Sequence, residues 1–522
     1  MTHPNKTILT EGSLDFALSH ISNYYDTDFF PRTEEFLALS FHWEEVRKHI
    51  LESNLDQILS AAPIVQPWPK TKGGYRVVHR LEPLDALVYT AMAKVVLPAV
   101  EKSRFSPEIA CSYRLTDGQD SFFGEGSGFE VFLDRCNSLA NANQFVLCTD
   151  ISDFYNKIYL HRLQNALQLA TDVPVGISKR VEYFLTALNT KASQGIPVGP
   201  AASIVMSEVT LNDVDKFLYE KGFDHVRYVD DFRIFANTEA RLQKALQDLT
   251  LYLHENQRLS LNSEKTFILP SSDFVAKELN NQYTQEKLHL LDEIEGVNPY
   301  AFSAGNNQDA GVEYLDEAGK VLLSALQKLL TYRVLDLGLA RAIVRRAKAY
   351  KVSDILPLLL KNLAFFAPAI NDVVLYIDAI SSEDFLTEHA VELSKACDSQ
   401  ACSISVVRLW LEWYFSRHLI LLKIPRVRVF VFSSERLRPQ AQAAITLNSE
   451  AWIKERKTKL HHYAYWDRRS IIMASSVMSK DEREKWLEPL LKGDSLTILE
   501  KWMARWVIDG SPKNVDPFDI PY

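Results

Sequence analysis

Cysteine is scarce in this chain. Five residues among 522, Cys111, Cys136, Cys148, Cys397 and Cys402, are scattered with no Cys-x-x-Cys spacing. Such a set points to neither a disulfide framework nor a zinc site, and a reduced, cytoplasmic compartment fits it best. Long apolar runs are missing as well: no stretch approaches the length that would span a bilayer, so no membrane association is expected. The opening Met1-Thr2-His3-Pro4-Asn5-Lys6 lacks the apolar core of a secretory signal. Nor is there an excess of positive charge. The net charge of −9 argues against a surface coated uniformly with nucleic acid, although an acidic chain can carry a locally basic site.

What is present is ordinary globular composition, 47% hydrophobic and 24% charged, over a length suited to two or three domains with their own cores. Up to about Leu269 helical stretches alternate with short β-rich ones. Gln144–Thr149 has the apolar, β-favouring run of a buried strand, and Leu242, Leu246, Leu249 and Leu253 repeat at helical spacing. Between Pro270 and Gly311 the sequence turns polar, which predicts a connection and a boundary between residues 1–285 and 286–522. Beyond it, Val321, Leu322, Ala325, Leu326, Leu329 and Leu330 share one helical face. Val406, Val407, Trp410, Leu411, Tyr414 and Phe415 share another. Prolines 357, 368, 425, 439 and 489 divide this half into successive helices, expected to stack as antiparallel pairs in an α-solenoid without a strict period. From Lys423 to Arg469 eleven basic residues face four acidic ones, which reads as a solvated helical surface or as a nucleic-acid track.

One tetrapeptide concentrates the chemistry. Tyr228-Val229-Asp230-Asp231 lies between two apolar runs, Val226–Val229 and Phe232–Phe235, that read as paired strands with the aspartates at the reversal. Two carboxylates at a hairpin tip demand a cation. A two-metal site needs a further carboxylate from a neighbouring strand, because ions about 3.5–4 Å apart require converging ligands. The run Phe145–Thr149 ends at Asp150 and supplies it. Hard Mg²⁺ takes a few carboxylates with backbone oxygen, water and substrate phosphate, so Asp150, Asp230 and the Ile151 carbonyl form a plausible set. Between these segments lies Gln194-Gly195-Ile196-Pro197-Val198-Gly199-Pro200, whose glycines would let backbone approach a nucleotide closely.

In this order the segments resemble the palm of reverse transcriptases: an aspartate strand, a Gln-Gly-x-Pro-x-Gly loop and a Tyr-x-Asp-Asp hairpin. Leu261–Thr266 resembles the fourth palm motif. Lys70-Thr71-Lys72-Gly73-Gly74-Tyr75-Arg76 resembles the basic fingers hairpin. The resemblance implies an α+β fingers and palm, followed here by an all-α HEAT-like domain. Asp150, Ile151 and Asp230 would hold Mg²⁺ or Mn²⁺, with Asp231 a supporting carboxylate near the primer end. Lys70, Lys72 and Arg76 would bind the triphosphate of a dNTP, Gln194 would line the nucleotide site, Tyr155 would gate against a ribose 2′-OH, and Lys265 would protonate pyrophosphate. Asp153 is expected in a structural bond instead.

A long helical second half, with Asp28–Pro31, Ser112-Tyr113-Arg114, Ser203 and Glu208, resembles the abortive-infection (Abi) reverse transcriptases of bacteria, in particular the prophage-encoded type. That resemblance implies template-independent, tyrosine-primed DNA synthesis, single-stranded DNA attached to the protein, and a homo-oligomer. Tyr24, Tyr25, Tyr463 and Tyr465 are candidate primers. A templated retron-like enzyme is the alternative, and an inactive palm serving as a binding module is a further one, disfavoured by the intact carboxylates.

Overall fold

A computed structural model describes residues 8–509, except 54–61, 116–117, 119–120, 125, 127, 171, 175, 191, 280–285, 287–288 and 292–307. The expected boundary at 285/286 therefore falls beside residues outside the described set. Two antiparallel sheets organise the first half. Strands β1 (Ile64–Pro69) and β2 (Tyr75–Arg80) form a hairpin in which Trp68 pairs with Arg76. Strands β3 (Phe145–Asp150), β4 (Asp224–Tyr228), β5 (Asp231–Ala236) and β6 (Phe267–Pro270) form a second sheet in the order β4-β5-β3-β6. β3 is buried along nearly its whole length because helices and sheet neighbours close on both of its faces.

Several expectations are refined. The helical spacing of Leu242, Leu246, Leu249 and Leu253 changes character at its last leucine: Glu239–Tyr252 is α-helical and passes through a π-turn to Gln257. Arg258 then adopts a left-handed conformation and breaks the run. In the predicted connection, Ser271–Phe274 and Val275–Leu279 are helical, and Gly311 lies inside the helix Gln308–Leu329. The expectation that no stretch could span a bilayer is also corrected. Pro83–Ser103 is 21 residues long and holds an 18-residue window with a mean hydropathy of 1.4, long and apolar enough to cross a membrane by length and composition. Of that window 83% is buried inside the fold, so its apolar surface serves as core. Pro83 starts it well, since the first helical position needs no N–H, and Glu82 accepts from the Leu84 N–H at 2.8 Å.

The second half is helical throughout its described residues from 308 to 509. Leu337–Tyr350, Ile370–Ile380, Ser405–Arg417, Leu437–Thr446, Tyr465–Ala474 and Ile498–Asp509 pack one on the next in chain order. The two halves do not keep separate cores. Residues of the last helices, among them Ile471, Trp502 and Met503, join the cluster of Leu14, Leu87 and Leu147. Phe30, Trp68 and Val78 join the core of the intermediate helices.

The basic segment from Lys423 to Arg469 is neither a plain solvated surface nor an open track. Arg438 bonds Glu34 and Glu35. Arg469 donates to Glu82 at 2.7 Å, and Arg468 pairs with Glu500 at 3.0 Å. Buried guanidiniums are tolerable only when paired, and here the pairing ties the halves together. The charges of Arg438 and Arg469 outweigh burial and hold the Glu35 carboxyl below its ordinary range.

Candidate active site

The β4–β5 hairpin turns at Val229 and Asp230. Val229, not an aspartate, takes the left-handed conformation, with φ 56°. A β-branched residue is strained there, so the turn must be held from outside. Arg227 does so, its Nη1 donating to the Val229 carbonyl at 3.2 Å. The same guanidinium donates through Nε to both oxygens of Asp215 at 2.9 Å and through Nη1 to Glu208 at 3.1 Å. Glu208 is shared with Arg104 Nε at 3.1 Å and accepts from the Ser112 hydroxyl at 2.6 Å. These four charged side chains are wholly enclosed. Sequence reading did not find Arg104, Asp215 and Arg227. Their signal was present: Glu208 and Asp215 stand seven residues apart on one face of the apolar helix Ala201–Glu220, and Arg227 stands between the apolar Val226 and the aromatic Tyr228.

Antiparallel pairing of β3 with β5 sets Asp150 opposite Asp231 and brings it beside Asp230 at the turn. The Ile151 N–H donates to the Asp230 carbonyl at 3.1 Å, so the end of β3 and the hairpin tip are one unit. Burial, and next the charge of Asp150, push the Asp230 carboxyl up to about 7. Two crowded carboxylates that resist joint ionisation are a site short of positive charge. Lys265 answers part of the shortage, its Nζ donating to Asp150 Oδ2 at 2.9 Å. It rides on a short 3-10 turn, Ser263–Lys265, whose Asn262 N–H donates to the Asp150 carbonyl at 2.8 Å.

The other predicted residues separate into two groups. Arg76 and Tyr155 both lie close enough to Asp230 to feel its charge. Tyr155 sits at the foot of the Ala201–Glu220 helix with Ser207 Oγ donating to its hydroxyl at 3.3 Å, and burial raises its pKa. Its backbone is pinned by the loop that follows: the Ile196 N–H donates to the Tyr155 carbonyl at 2.9 Å. Lys70 and Lys72 lie at the exposed β1–β2 turn, closed by the Lys70 N–H to Gly74 carbonyl bond of 3.0 Å.

Asp231 and Gln194 are placed otherwise. Asp231 pairs with Arg233, two residues along the same strand, at 2.5 Å, while its charge still adds, behind burial and Asp150, to the rise of the Asp230 pKa. The amide of Gln194 donates to the Lys157 carbonyl at 3.3 Å and is engaged by the protein itself. The loop glycines also serve protein contacts. A Cβ on Gly195, φ 94°, would stand 3.2 Å from the Asn156 carbonyl oxygen. One on Gly199, φ 132°, would stand 2.9 Å from the His79 carbonyl oxygen and 2.5 Å from Thr27 Oγ1. The close approach they permit is to β2 and its neighbours, where the His79 N–H donates to the Val198 carbonyl at 2.8 Å. Asp153 is a structural residue, as expected, accepting from Asn156 Nδ2 at 2.8 Å.

Among the described residues no group of three acidic, histidine or cysteine side chains is arranged to hold a metal ion. The Asp150–Asp230 pair, with the Ile151 backbone beside it, nevertheless fits divalent cations: its donors are hard oxygens, and Asp230 lacks a full countercharge.

Residues 68–291, which contain every site residue named here, match the family described as reverse transcriptase (RNA-dependent DNA polymerase). No curated protein matches the sequence. Telomerase from Candida albicans, solved with a TWJ fragment of telomeric RNA, aligns at a TM-score of 0.30 and 12% identity, covering 73% of this chain and 70% of that one. Apo telomerase from Candida tropicalis aligns at 0.33 and 13%, covering 71% and 74%. At such scores the likeness is distant. The family match and the site lead to one conclusion: the chain carries a reverse transcriptase domain and is, by enzyme class, a nucleic-acid polymerase.

Proposed function

We propose that this polymerase adds dNTPs at the Asp150–Asp230 pair, without a template and from a tyrosine of its own chain, as a phage-defence (abortive-infection) enzyme of the bacterial cytoplasm. The observation that carries the catalytic part is the hairpin tip itself, where Asp230 is pushed up to about 7 by burial and by Asp150. Asp150, Asp230 and the Ile151 carbonyl would hold Mg²⁺ or Mn²⁺. Bound there, the ions supply activation of the attacking hydroxyl and stabilisation of the developing phosphate charge. Arg76 holds the triphosphate, since a guanidinium fork matches phosphate oxygens. Lys265, already on Asp150, is placed to give a proton to departing pyrophosphate.

The defence reading rests on the resemblance of the motifs and the helical second half to Abi polymerases, and on stacking of its helices in chain order, which supports a HEAT-like arrangement. Homo-oligomerisation and DNA left covalently on the protein belong to the same reading. Of the four candidate primers, Tyr24 and Tyr465 expose their rings at the surface.

The test uses the full-length protein with Mg²⁺ and each labelled dNTP, without template or primer. Label that stays on the protein through denaturation is the expected result. Label that appears only with added RNA would transfer the proposal to a templated, retron-like enzyme. The gate has its own check. Tyr155→Ala removes the ring beside Asp230 and is expected to raise ribonucleotide use relative to dNTP by about 100-fold, a discrimination of roughly 3 kcal/mol. Equal preference in wild type and variant would remove Tyr155 from that role.

A further inference from the structure

The fingers hairpin does not stand alone over the palm. Trp68, the register partner of Arg76, donates its indole N–H to the Pro368 carbonyl at 3.1 Å, anchoring the hairpin on the helical half. Four residues later in that half stands Asp372, its side chain only 6% exposed. Asp372 receives two arginines from the neighbouring helix Leu337–Tyr350: Arg341 Nε at 3.1 Å and Arg345 Nε at 2.8 Å. Each uses its inner nitrogen. The terminal nitrogens, which carry most of the fork's donors, make no further hydrogen bond among the described residues, and the side chains are 32% and 63% exposed. The Asn371 amide, beside Asp372, donates to the Asp28 carbonyl at 3.1 Å, bringing the chain's Asp26–Pro31 stretch to the same place.

Arg76, opposite Trp68 on the anchored hairpin, links this arrangement to the catalytic residues: it lies near enough to Arg341, Asp230 and Tyr155 to feel their charges, and burial first, then the charge of Arg341, lower its pKa. Asp28 faces both Arg341 and Arg345, yet burial still raises its carboxyl. Arg341 and Arg345 therefore stand between the carboxylates of Asp372 and Asp28, with the Arg76 guanidinium next to Arg341. Like charges held together at an open surface repel, and the fold pays that cost where an anion is to be received.

We propose that Arg341 and Arg345 form the second wall of the nucleotide site and bind, with Arg76, the triphosphate of the incoming dNTP. The helical half then takes part in catalysis rather than only bracing the palm. This deepens the reading of Arg76 as a triphosphate ligand and rests on it. Asp372 engages only the inner nitrogens of the two forks and offsets part of their charge, leaving their outer nitrogens open.

The experiment measures equilibrium binding of labelled dATP with Mg²⁺ to the full-length protein, together with steady-state incorporation. Arg341→Gln and Arg345→Gln are expected each to weaken dATP binding and raise KM about tenfold with kcat within about twofold, the loss of one charge-assisted contact. Arg341→Lys should recover part of the loss. Asp372→Asn separates this from a purely structural ion pair: relieved of a carboxylate, the arginines should bind dATP as tightly as before or more tightly, and the inhibitory constant of tripolyphosphate should follow the same order. Unchanged dATP affinity in both Gln variants overturns the proposal. So does Asp372→Asn weakening binding as the Arg variants do, or loss confined to single-stranded oligonucleotide binding. Because binding is read without turnover, failure of polymerisation in the wild type would sink the proposed function and leave this inference separately decided.

Discussion

Asp230→Asn is expected to reduce dNTP incorporation by at least about 10³-fold, roughly 4 kcal/mol of transition-state stabilisation. The amide keeps the shape of the turn but removes a hard anionic ligand from the hairpin tip. The same substitution carries a pH signature of opposite sign for stability. Asp230 in the folded protein holds its proton up to about pH 7, whereas an unfolded aspartate releases it near its ordinary 3.8. The folded state therefore binds the extra proton between those values, and its stability falls as pH rises through that window. In EDTA, Asp230→Asn escapes this loss. It should be more stable than the wild type at pH 8, by on the order of 1–2 kcal/mol after allowance for partial exposure, and melt correspondingly higher, with the gap closing toward pH 4. In the wild type at subsaturating Mg²⁺, the rate should drop about tenfold per unit below pH 7, because cation and proton compete for one carboxylate. Calorimetric melts and pH–rate profiles check both. Equal melting of the two proteins at pH 8 would mean that Asp230 is ionised without strain.

The largest stability effect is expected from Arg227→Ala. It strips the buried Asp215 and Glu208 of a shared partner that sits 2.9 and 3.1 Å away and frees the Val229 carbonyl. Breaking one member of an enclosed ion cluster costs about 3–5 kcal/mol, since the remaining charge is left in low dielectric. The exposed pair of Lys216 and Glu220, 3.8 Å apart, offers the contrast: Lys216→Ala should cost less than about 0.5 kcal/mol. The loss is not only global. Val229 is held at φ 56° by that bond, so at a temperature where Arg227→Ala remains folded its kcat should still fall, as the Asp230 carboxyl loses its fixed position relative to Asp150. Urea melts and kinetics below the transition measure the two parts. A variant with wild-type melting would show the cluster to be dispensable.

The palm was legible because its chemistry is local. Apolar strand runs flanking a turn, and a second strand ending in aspartate, place Asp150 and Asp230 without knowledge of the rest of the chain. Lys265 was singled out by the resemblance of Leu261–Thr266 to the fourth motif, not by strand pattern, and its Nζ stands 2.9 Å from Asp150. Asp231 was assigned as a supporting carboxylate by the resemblance alone; strand alternation, which sends residues 231 and 233 to one face, gives it Arg233 as partner, a pairing that motif reading did not anticipate. The glycines of the 194–200 loop were recognised as sites of close approach. What approaches is β2 and Asn156, a fact carried by tertiary packing. Least legible were pairs distant in sequence. Arg438 meets Glu34 and Glu35 across some four hundred residues, and Arg469 meets Glu82, so a run of basic residues looked like a surface when it is in part a buried junction. The continuous core follows from that junction. Polar sequence around 270–311 predicted a divide, yet Trp502 and Leu147 belong to one apolar cluster.

The central claim, that Asp150 and Asp230 together hold the catalytic cations, is tested most directly by titrating Mn²⁺ into the full-length protein with a dNTP present and following free Mn²⁺ by electron paramagnetic resonance. The wild type should take up two ions per chain, while Asp150→Asn and Asp230→Asn should each lose at least one and Asp231→Asn should lose none. Full Mn²⁺ uptake by both Asp150→Asn and Asp230→Asn would contradict the account.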